Sequence, residues 1–427
     1  MNRALLIGIL AAALFLVGVA AVRGEVLLLA LPLLAYLLGG LATAPHSPIM
    51  EVERTLSVER ADADVPTEVT VRVTNRGEAA DELLLEDTVP AGLRIAAGSP
   101  RHLVNLQKGG VYSFVYAVSG QRGRYSFQSL RATSSGGLGL LAKHAFFPAS
   151  GQLLVLPLVR RLKYVAIRPR RTRVFAGSIP ARIGGPGTEF FGVRSYAPGD
   201  PMRAMNWRAN ARHPDQLFAN DFQQERVADV GIVLDGRERT NVFPGGHSMF
   251  EYSVQAAAAL GEAFLQQGNR VGLLSYGSYL EWSFPGYGKR QRERLLHALA
   301  QAQVGDSTVF AGLDHLSPRM FPVESQIVLI SPLIADDLKA LVSLRSRGYQ
   351  VFVLTPDPVA FEARLLPARR DVDLAVRIAR LERRLLLRRL QRASIQVLEW
   401  DVQQPFDQAV GPALARLRFP RQAGWVQ

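Results

Sequence analysis

The rhythm of apolar and polar positions changes three times along the chain. Ala4 to Val22 is apolar throughout, Arg23-Gly24-Glu25 interrupts it, and Val26 to Ala44 is apolar again with Pro32 inside. Each run is near the roughly twenty residues that a helix needs to cross a bilayer. A three-residue break leaves room only for a tight hairpin, so residues 1–45 are expected to form a two-helix membrane anchor. Pro32 is compatible with this, because neighbouring helices re-satisfy the carbonyl it frees. The competing reading is a cleaved signal peptide, with Asn2-Arg3 as charged start and small residues around Ala20-Ala21. A second full span directly after the first argues for the anchor.

From Glu51 to about Leu156 the period becomes two. Thr67 to Thr74 alternates strictly and ends at the turn Asn75-Arg76-Gly77. Leu83 to Leu85, Val111 to Val118, Tyr125 to Thr133 and Leu153 to Leu156 continue the pattern between Gly-rich turns. Short strands at this spacing predict an all-β sandwich over residues 46–158. From Asp229 the rhythm changes to short apolar runs alternating with amphipathic stretches. Strands are expected at Val230 to Leu234, Val271 to Tyr276, Gln326 to Ile330, Tyr349 to Leu354 and Ile395 to Leu398, with Tyr279 to Phe284 beside the second. Helices are expected at Tyr252 to Gln267, Arg290 to Ala302, Ala335 to Arg347, Leu374 to Arg392 and Phe406 to Leu417. Near-continuous apolar strands between helices predict a doubly wound parallel sheet covered on both faces, an α/β domain over residues 227–427.

Residues 159–226 fit neither rhythm. Arg160 to Arg173 carries seven basic residues and no acid. It reads either as a solvated linker or as a contact for anionic lipid headgroups. Gly184 to Gly187 reads as a loop and Pro198-Gly199 as a turn. Asp200-Pro201 reads as a helix start, a capping carboxylate followed by a preset φ, with the helix running to Ala211. On such a helix Arg203 and Trp207 share a face, as do Arg208 and Arg212. The residues Glu189, Phe190, Arg194, Tyr196, Pro198, Gly199, Asp200, Arg203, Asn206, Trp207, Arg208, Ala211 and Arg212 together closely resemble the signature of the domain-of-unknown-function family fifty-eight. That resemblance implies a membrane-anchored bacterial protein with a von Willebrand A-like domain, often encoded beside a MoxR-type AAA+ ATPase, and no known reaction. The residues themselves allow two readings. Glu189 and Asp200 against Arg194, Arg203 and Arg208 form a structural ion-pair network packed by Phe190, Tyr196 and Trp207, or the same surface binds a partner.

In von Willebrand A domains a divalent cation sits at the carboxyl ends of the strands. It is held by Asp-x-Ser-x-Ser and by a Thr and an Asp from later loops, oxygen ligands that suit a hard ion. Here the first motif reads Asp235-Gly236-Arg237-Glu238-Arg239. Thr308 fits the threonine, and Pro332 stands where the later Asp is expected. Three of the five ligand positions are therefore lost, and Arg237 and Arg239 bring positive charge to two of them. The expected outcome is a degenerate site without metal, its arginines either turned outward or offered to a partner's carboxylate.

Composition narrows the function. The 427 residues carry a net charge of +13 and no cysteine, which excludes disulfides, cysteine-ligated zinc and thiol catalysis. The basic balance suits an acidic partner. With apolar spans at hand that partner is read as lipid or protein, and nucleic acid is not expected, since few aromatics interleave the charges. No nucleophile–base pair and no cofactor motif is present, so no enzyme activity and no cofactor are expected. The reading is a non-enzymatic adaptor of the inner membrane with both soluble domains in the cytoplasm and an AAA+ ATPase as partner. The alternative is a cell-envelope enzyme or accessory subunit whose sandwich binds substrate.

Overall fold

The computed structural model describes residues 3–136, 138–162, 165, 172–213, 215–243, 248–277, 280–305, 320–323 and 325–416. The chain divides into two compact units, Met1–Leu156 and Pro157–Gln427.

The first unit begins with α1 (Arg3–Ala20) and α2 (Gly24–Ala42). Helix α2 is long and apolar enough to cross a membrane, and the apolar part of α1, Ala4–Ala20, is shorter. The two helices touch where Gly18 leaves room for the Leu27 side chain. Glycine inside a helix costs up to about 1 kcal/mol against alanine, and Gly39-Gly40 in α2 has a packing reason. Leu138 and Leu140 lie directly against these two residues, and a Cβ on Gly40 would collide with Leu140. The Tyr36 hydroxyl donates to the Leu138 carbonyl at 2.9 Å.

The β region holds β1 (Met50–Leu56), β2 (Arg60–Asp62), β3 (Thr67–Asn75), β4 (Ala80–Asp87), β5 (Leu93–Gly98), β6 (Arg101–Leu106), β7 (Val111–Gly120), β8 (Gly123–Ser135) and β9 (Ala142–Leu156). One sheet runs β1-β3-β7-β5 and the other β2-β9-β8-β4-β6. Val69, Val71 and Val73 of β3 and Phe114 of β7 share one core with Leu83 and Leu85 of β4 and Leu130 of β8. The alternation read from Thr67 to Thr74 is thus the inward face of a strand. Each fully buried apolar side chain contributes about 1.5–3 kcal/mol. Arg54 crosses this core with a fully buried side chain. It donates to both Asp87 carboxylate oxygens and to the Ala149 carbonyl. Tyr116 donates to Asp87 at 2.6 Å, and burial, then that bond, raises the Tyr116 hydroxyl well above its ordinary range.

The second unit opens with a long antiparallel pair, β10 (Thr172–Ser195) and β11 (Phe218–Asp235). The segment read as a loop at Gly184 to Gly187 lies within β10, whose pairing shifts register between Ala181 and Gly184 and again between Gly185 and Phe190. The expected boundary at residues 226 and 227 falls inside β11, so the motif segment is continuous with the α/β sheet. That sheet continues through β12 (Arg270–Tyr276), β13 (Leu280–Gly286), β14 (Gln326–Ile330), β15 (Gln350–Pro356) and β16 (Gln396–Trp400), in the order β13-β12-β11-β14-β15-β16. Along this path all pairings are parallel except that of the edge strand β13; the β10–β11 pairing off the path is antiparallel.

Between the ends of β10 and β11 lies α3 (Trp207–Arg212). The later helices are α4 (Met249–Gln266), α5 (Gly288–Gln301), α6 (Asp337–Ser346), α7 (Pro358–Ala363), α8 (Arg370–Arg392), α9 (Phe406–Ala409) and α10 (Gly411–Arg416). Leu341 and Leu344 of α6 and Leu387 and Leu390 of α8 pack with Val233, Leu329 and Val353 on one sheet face. On the other face Gly261 of α4 sits over Ile232. Every residue of β14 is buried, as a strand covered on both sides requires.

Candidate functional site

Two places carry the residues singled out by the sequence. The first is the crevice at the carboxyl ends of β11 and β14. Asp235 ends β11 and is completely buried; Arg237, two residues on, is 2 % exposed. Arg237 does not turn outward. Its Nε and backbone N–H donate to Asp235 Oδ1 at 2.9 and 3.0 Å, and its Nη2 donates to Asp235 Oδ2 at 2.7 Å. The same guanidinium donates to both oxygens of Asp337 at 2.9 Å. Ser331, at the end of β14, adds its hydroxyl to Asp235 Oδ2 at 2.6 Å, and the Ile334 N–H donates to Asp337 Oδ2 at 3.1 Å. The guanidinium also lies 5.4 Å from the centre of the Tyr276 ring.

Every oxygen of both carboxylates therefore already accepts a hydrogen bond from within the chain. Burial works against the charge on Arg237, but its bonds to Asp235 and then to Asp337 outweigh burial and raise its pKa further. Burial and the nearby Asp235 charge push the Tyr276 hydroxyl well above its ordinary range. Asp337 is the first residue of α6, where the helix N-terminus favours negative charge.

One sequence expectation changes here. A second carboxylate stands in the crevice, since Asp337 at the start of α6 binds the Arg237 guanidinium. The Arg237 fork is therefore not free for a partner's carboxylate, since it is buried and saturated from within. Arg239 and Glu238 are exposed, and Thr308 lies outside the described residues.

The Pro332 carbonyl accepts from a second buried arginine, Arg383 of α8, at 2.9 Å. Arg383 also donates to the Thr355 hydroxyl and the Pro356 carbonyl at 2.9 Å and to Glu399 at 2.5 Å. It thus ties α8 to the ends of β14, β15 and β16. Arg383 is a buried arginine that the sequence reading did not single out. Its signal was its position: Arg383 stands four residues before the buried Leu387 on the core-facing side of the helix.

The second place is the signature motif. Asp200 does not cap a helix from Pro201 to Ala211, because Arg194 takes its carboxylate in a bidentate pair at 2.6 and 2.7 Å. The Ala197 N–H donates to the same carboxylate at 2.9 Å. The Arg194 bond, then that backbone bond, lowers the Asp200 carboxyl to about 2. Pro201 is extended, Met202–Ala204 forms one 3-10 turn, and Asn206 caps α3 by accepting from the Ala209 N–H at 3.0 Å. Asn206 N–H and Asn210 Oδ1 then bind the Phe218 backbone, fixing α3 to the start of β11. Arg203 and Trp207 consequently lie on different elements. Arg194 also stands 3.8 Å from Asp221, and Tyr196 is half-buried.

The rest of the motif is not packed. Phe190, Met202 and Trp207 are 62, 69 and 63 % exposed, and Arg203, Arg208 and Arg212 are exposed beside them. The Glu189 side chain lies outside the described residues. So do most of the basic residues from Arg160 to Arg173; Arg160 itself lies 3.6 Å from Asp407. Among the described residues no group of three or more His, Cys, Asp or Glu side chains is arranged to hold a metal ion.

Comparison with known proteins agrees with the motif. Uncharacterized protein YeaD of Bacillus subtilis (strain 168) is 25 % identical over 237 residues, which are 54 % of this chain and 57 % of the relative. The chain thus spans little over half the length of that curated relative. Among solved structures, a CARDB domain from Pyrococcus furiosus aligns at 15 % identity over 26 % of this chain and 92 % of its own, with a TM-score of 0.17. The cupredoxin domain of amoB from Nitrosocaldus yellowstonii aligns at 11 % identity over 26 % and 89 %, with a TM-score of 0.19. Residues 192–375, which include the motif from Arg194 to Arg212 and both carboxylates of the crevice, match the family model described as Protein of unknown function DUF58.

Proposed function

We propose that this chain is a membrane-anchored, non-enzymatic adaptor whose α/β unit binds a protein partner through the signature motif. One observation carries the reading: the motif exposes Phe190, Met202 and Trp207 among Arg203, Arg208 and Arg212. Exposed aromatics beside arginines have the composition of binding hot spots. The crevice is consistent with the same reading, because among the described residues its two carboxylates and Arg237 bind one another. The parallel sheet with Asp235 at a strand end, helices on both faces and an antiparallel edge strand supports a von Willebrand A-like fold. The partner that the family resemblance suggests is a MoxR-type AAA+ ATPase. The contact between α1 and α2 supports a two-span anchor, and Arg3, Arg54 and Arg60 around it favour the cytoplasmic side for the soluble units.

The test is purification of the tagged full chain from membranes with identification of bound proteins by mass spectrometry. An AAA+ ATPase should co-purify, and Trp207→Ala with Arg208→Glu should lower its yield at least tenfold without changing the melting temperature. An ATPase retained in full by that variant would remove the motif from the interface. Absence of any ATPase from the wild-type preparation would remove the partner. A C-terminal phosphatase fusion that is active in the periplasm would overturn the orientation.

A further inference from the structure

Helix α8 is apolar on two opposite faces. One face is its seat in the fold, where Leu387 and Leu390 enter the core and Arg383 binds the strand ends. The other holds Leu374, Ile378, Leu381 and Leu385, which fall within about 60° of one another at 3.6 residues per turn and stand opposite Arg383. These four are 59, 52, 58 and 48 % exposed. No residue of the helix before Arg383 is buried. Arg377, Arg380, Arg384 and Arg388 follow the stripe along one flank, headed by Asp373, and all four are exposed. Asp371, Glu382 and Arg389 stand on the other flank. The helix as a whole carries eight arginines against three acids.

We propose that this outer face of α8 lies on an anionic bilayer surface. The apolar stripe enters the boundary beneath the headgroups, and the arginine flank pairs with their phosphates, as in interfacial amphipathic helices. Three observations choose this occupant. The charge balance of the helix is strongly positive, as is that of the chain, at +13. Helix α2 is long and apolar enough to cross a membrane, and the anchor proposed above would tether the rest of the chain near a bilayer. The stripe also spans under two heptads and ends at Arg388, whereas a coiled coil with a second copy needs three or four. All but the first turn and a half of α8 lies beyond the residues that match the family model. The inference goes beyond the adaptor reading and does not require the motif to bind anything.

The chain has no cysteine, so Ile378→Cys supplies a single thiol for an environment-sensitive dye. The labelled full chain is reconstituted into liposomes containing a lipid-borne quencher, either with one-third phosphatidylglycerol or with phosphatidylcholine alone. Leu34→Cys in α2 serves as the reference for membrane insertion. The dye at Ile378 is expected to be quenched at least threefold more with phosphatidylglycerol, and Arg377→Gln with Arg384→Gln should abolish the difference. Absence of quenching at Ile378 while Leu34 is quenched would overturn the proposal and leave the face to a protein. Equal quenching in both lipids would overturn the role of the arginines. Shielding of the dye in detergent that grows with protein concentration would assign the face to a second copy. Quenching at Ile378 without quenching at Leu34 supports the α8 contact while refuting the membrane span.

Discussion

The crevice and the motif are built from the same chemical parts, arginines against aspartates, and behave in opposite ways. In the crevice Arg237 has a side chain 3 % exposed, with partners 0 and 3 % exposed. In the motif Arg194 is 43 % exposed and Asp200 14 %. The first pair is buried, so each charge there must be matched inside the protein, and the guanidinium is committed to two carboxylates at once. Around the second pair solvent screens the interaction. Its effect is local: it closes the turn from Arg194 to Asp200 and leaves Arg203, Trp207 and Arg208 facing outward. The difference teaches that an arginine in a ligand position is not by itself evidence of a surface for partners. Burial of its counter-charges decides.

The strongest way to break this comparison is Arg237→Ala. It leaves two buried carboxylates facing each other, and breaking such a cluster from one side costs about 3–5 kcal/mol. Denaturant unfolding of the full chain should show that loss. Next in size is the joint replacement Asp235→Asn, Arg237→Gln and Asp337→Asn. It removes all three charges together, and it should destabilise less than Arg237→Ala alone, since no buried charge remains unmatched.

Smaller effects sharpen the motif side. Trp207→Ala should change stability by no more than about 0.5 kcal/mol, the range of exposed substitutions; a larger loss would show that the ring is packed. Asp200 contributes its stability at neutral pH and loses it in acid. Its folded pKa of about 2 lies below the unfolded 3.8, so the stability it contributes is full above 3.8 and disappears as the pH falls through about 2. Asp200→Asn should therefore lower neutral stability by the small, solvent-screened amount the carboxylate contributes and remove the acid dependence in that window. The smallest expected effect is none at all: calorimetry with magnesium and manganese should detect no saturable binding that depends on Asp235. Binding lost in Asp235→Ala would show that Arg237 yields its carboxylates to a cation.

The local pattern of the chain determined its elements. Alternation from Thr67 to Thr74 became a strand buried at every second position, and the apolar runs at Val230, Gln326 and Tyr349 became strands buried on both faces. A period of two or an unbroken apolar run is enough for this, because it fixes how many faces of an element leave water. The helix expected from Pro201 did not form as read, because the Asp200 carboxylate turns back to Arg194 and the Ala197 N–H and the chain stays extended at Pro201.

What the sequence left undecided depends on partners far away in it. Arg237 meets Asp337 a hundred residues later, and Arg383 meets the carbonyl of Pro332 across fifty-one. Gly184 and Gly185 lie in a strand because they pair with Gln223 and Phe222 of β11, although glycine and proline alone suggest a loop. Side-chain type limits which ion pairs and ladders a chain is able to make. Only the tertiary fold, by removing water from some charges and leaving it around others, decided which arginines became interior cross-links and which stayed at the surface.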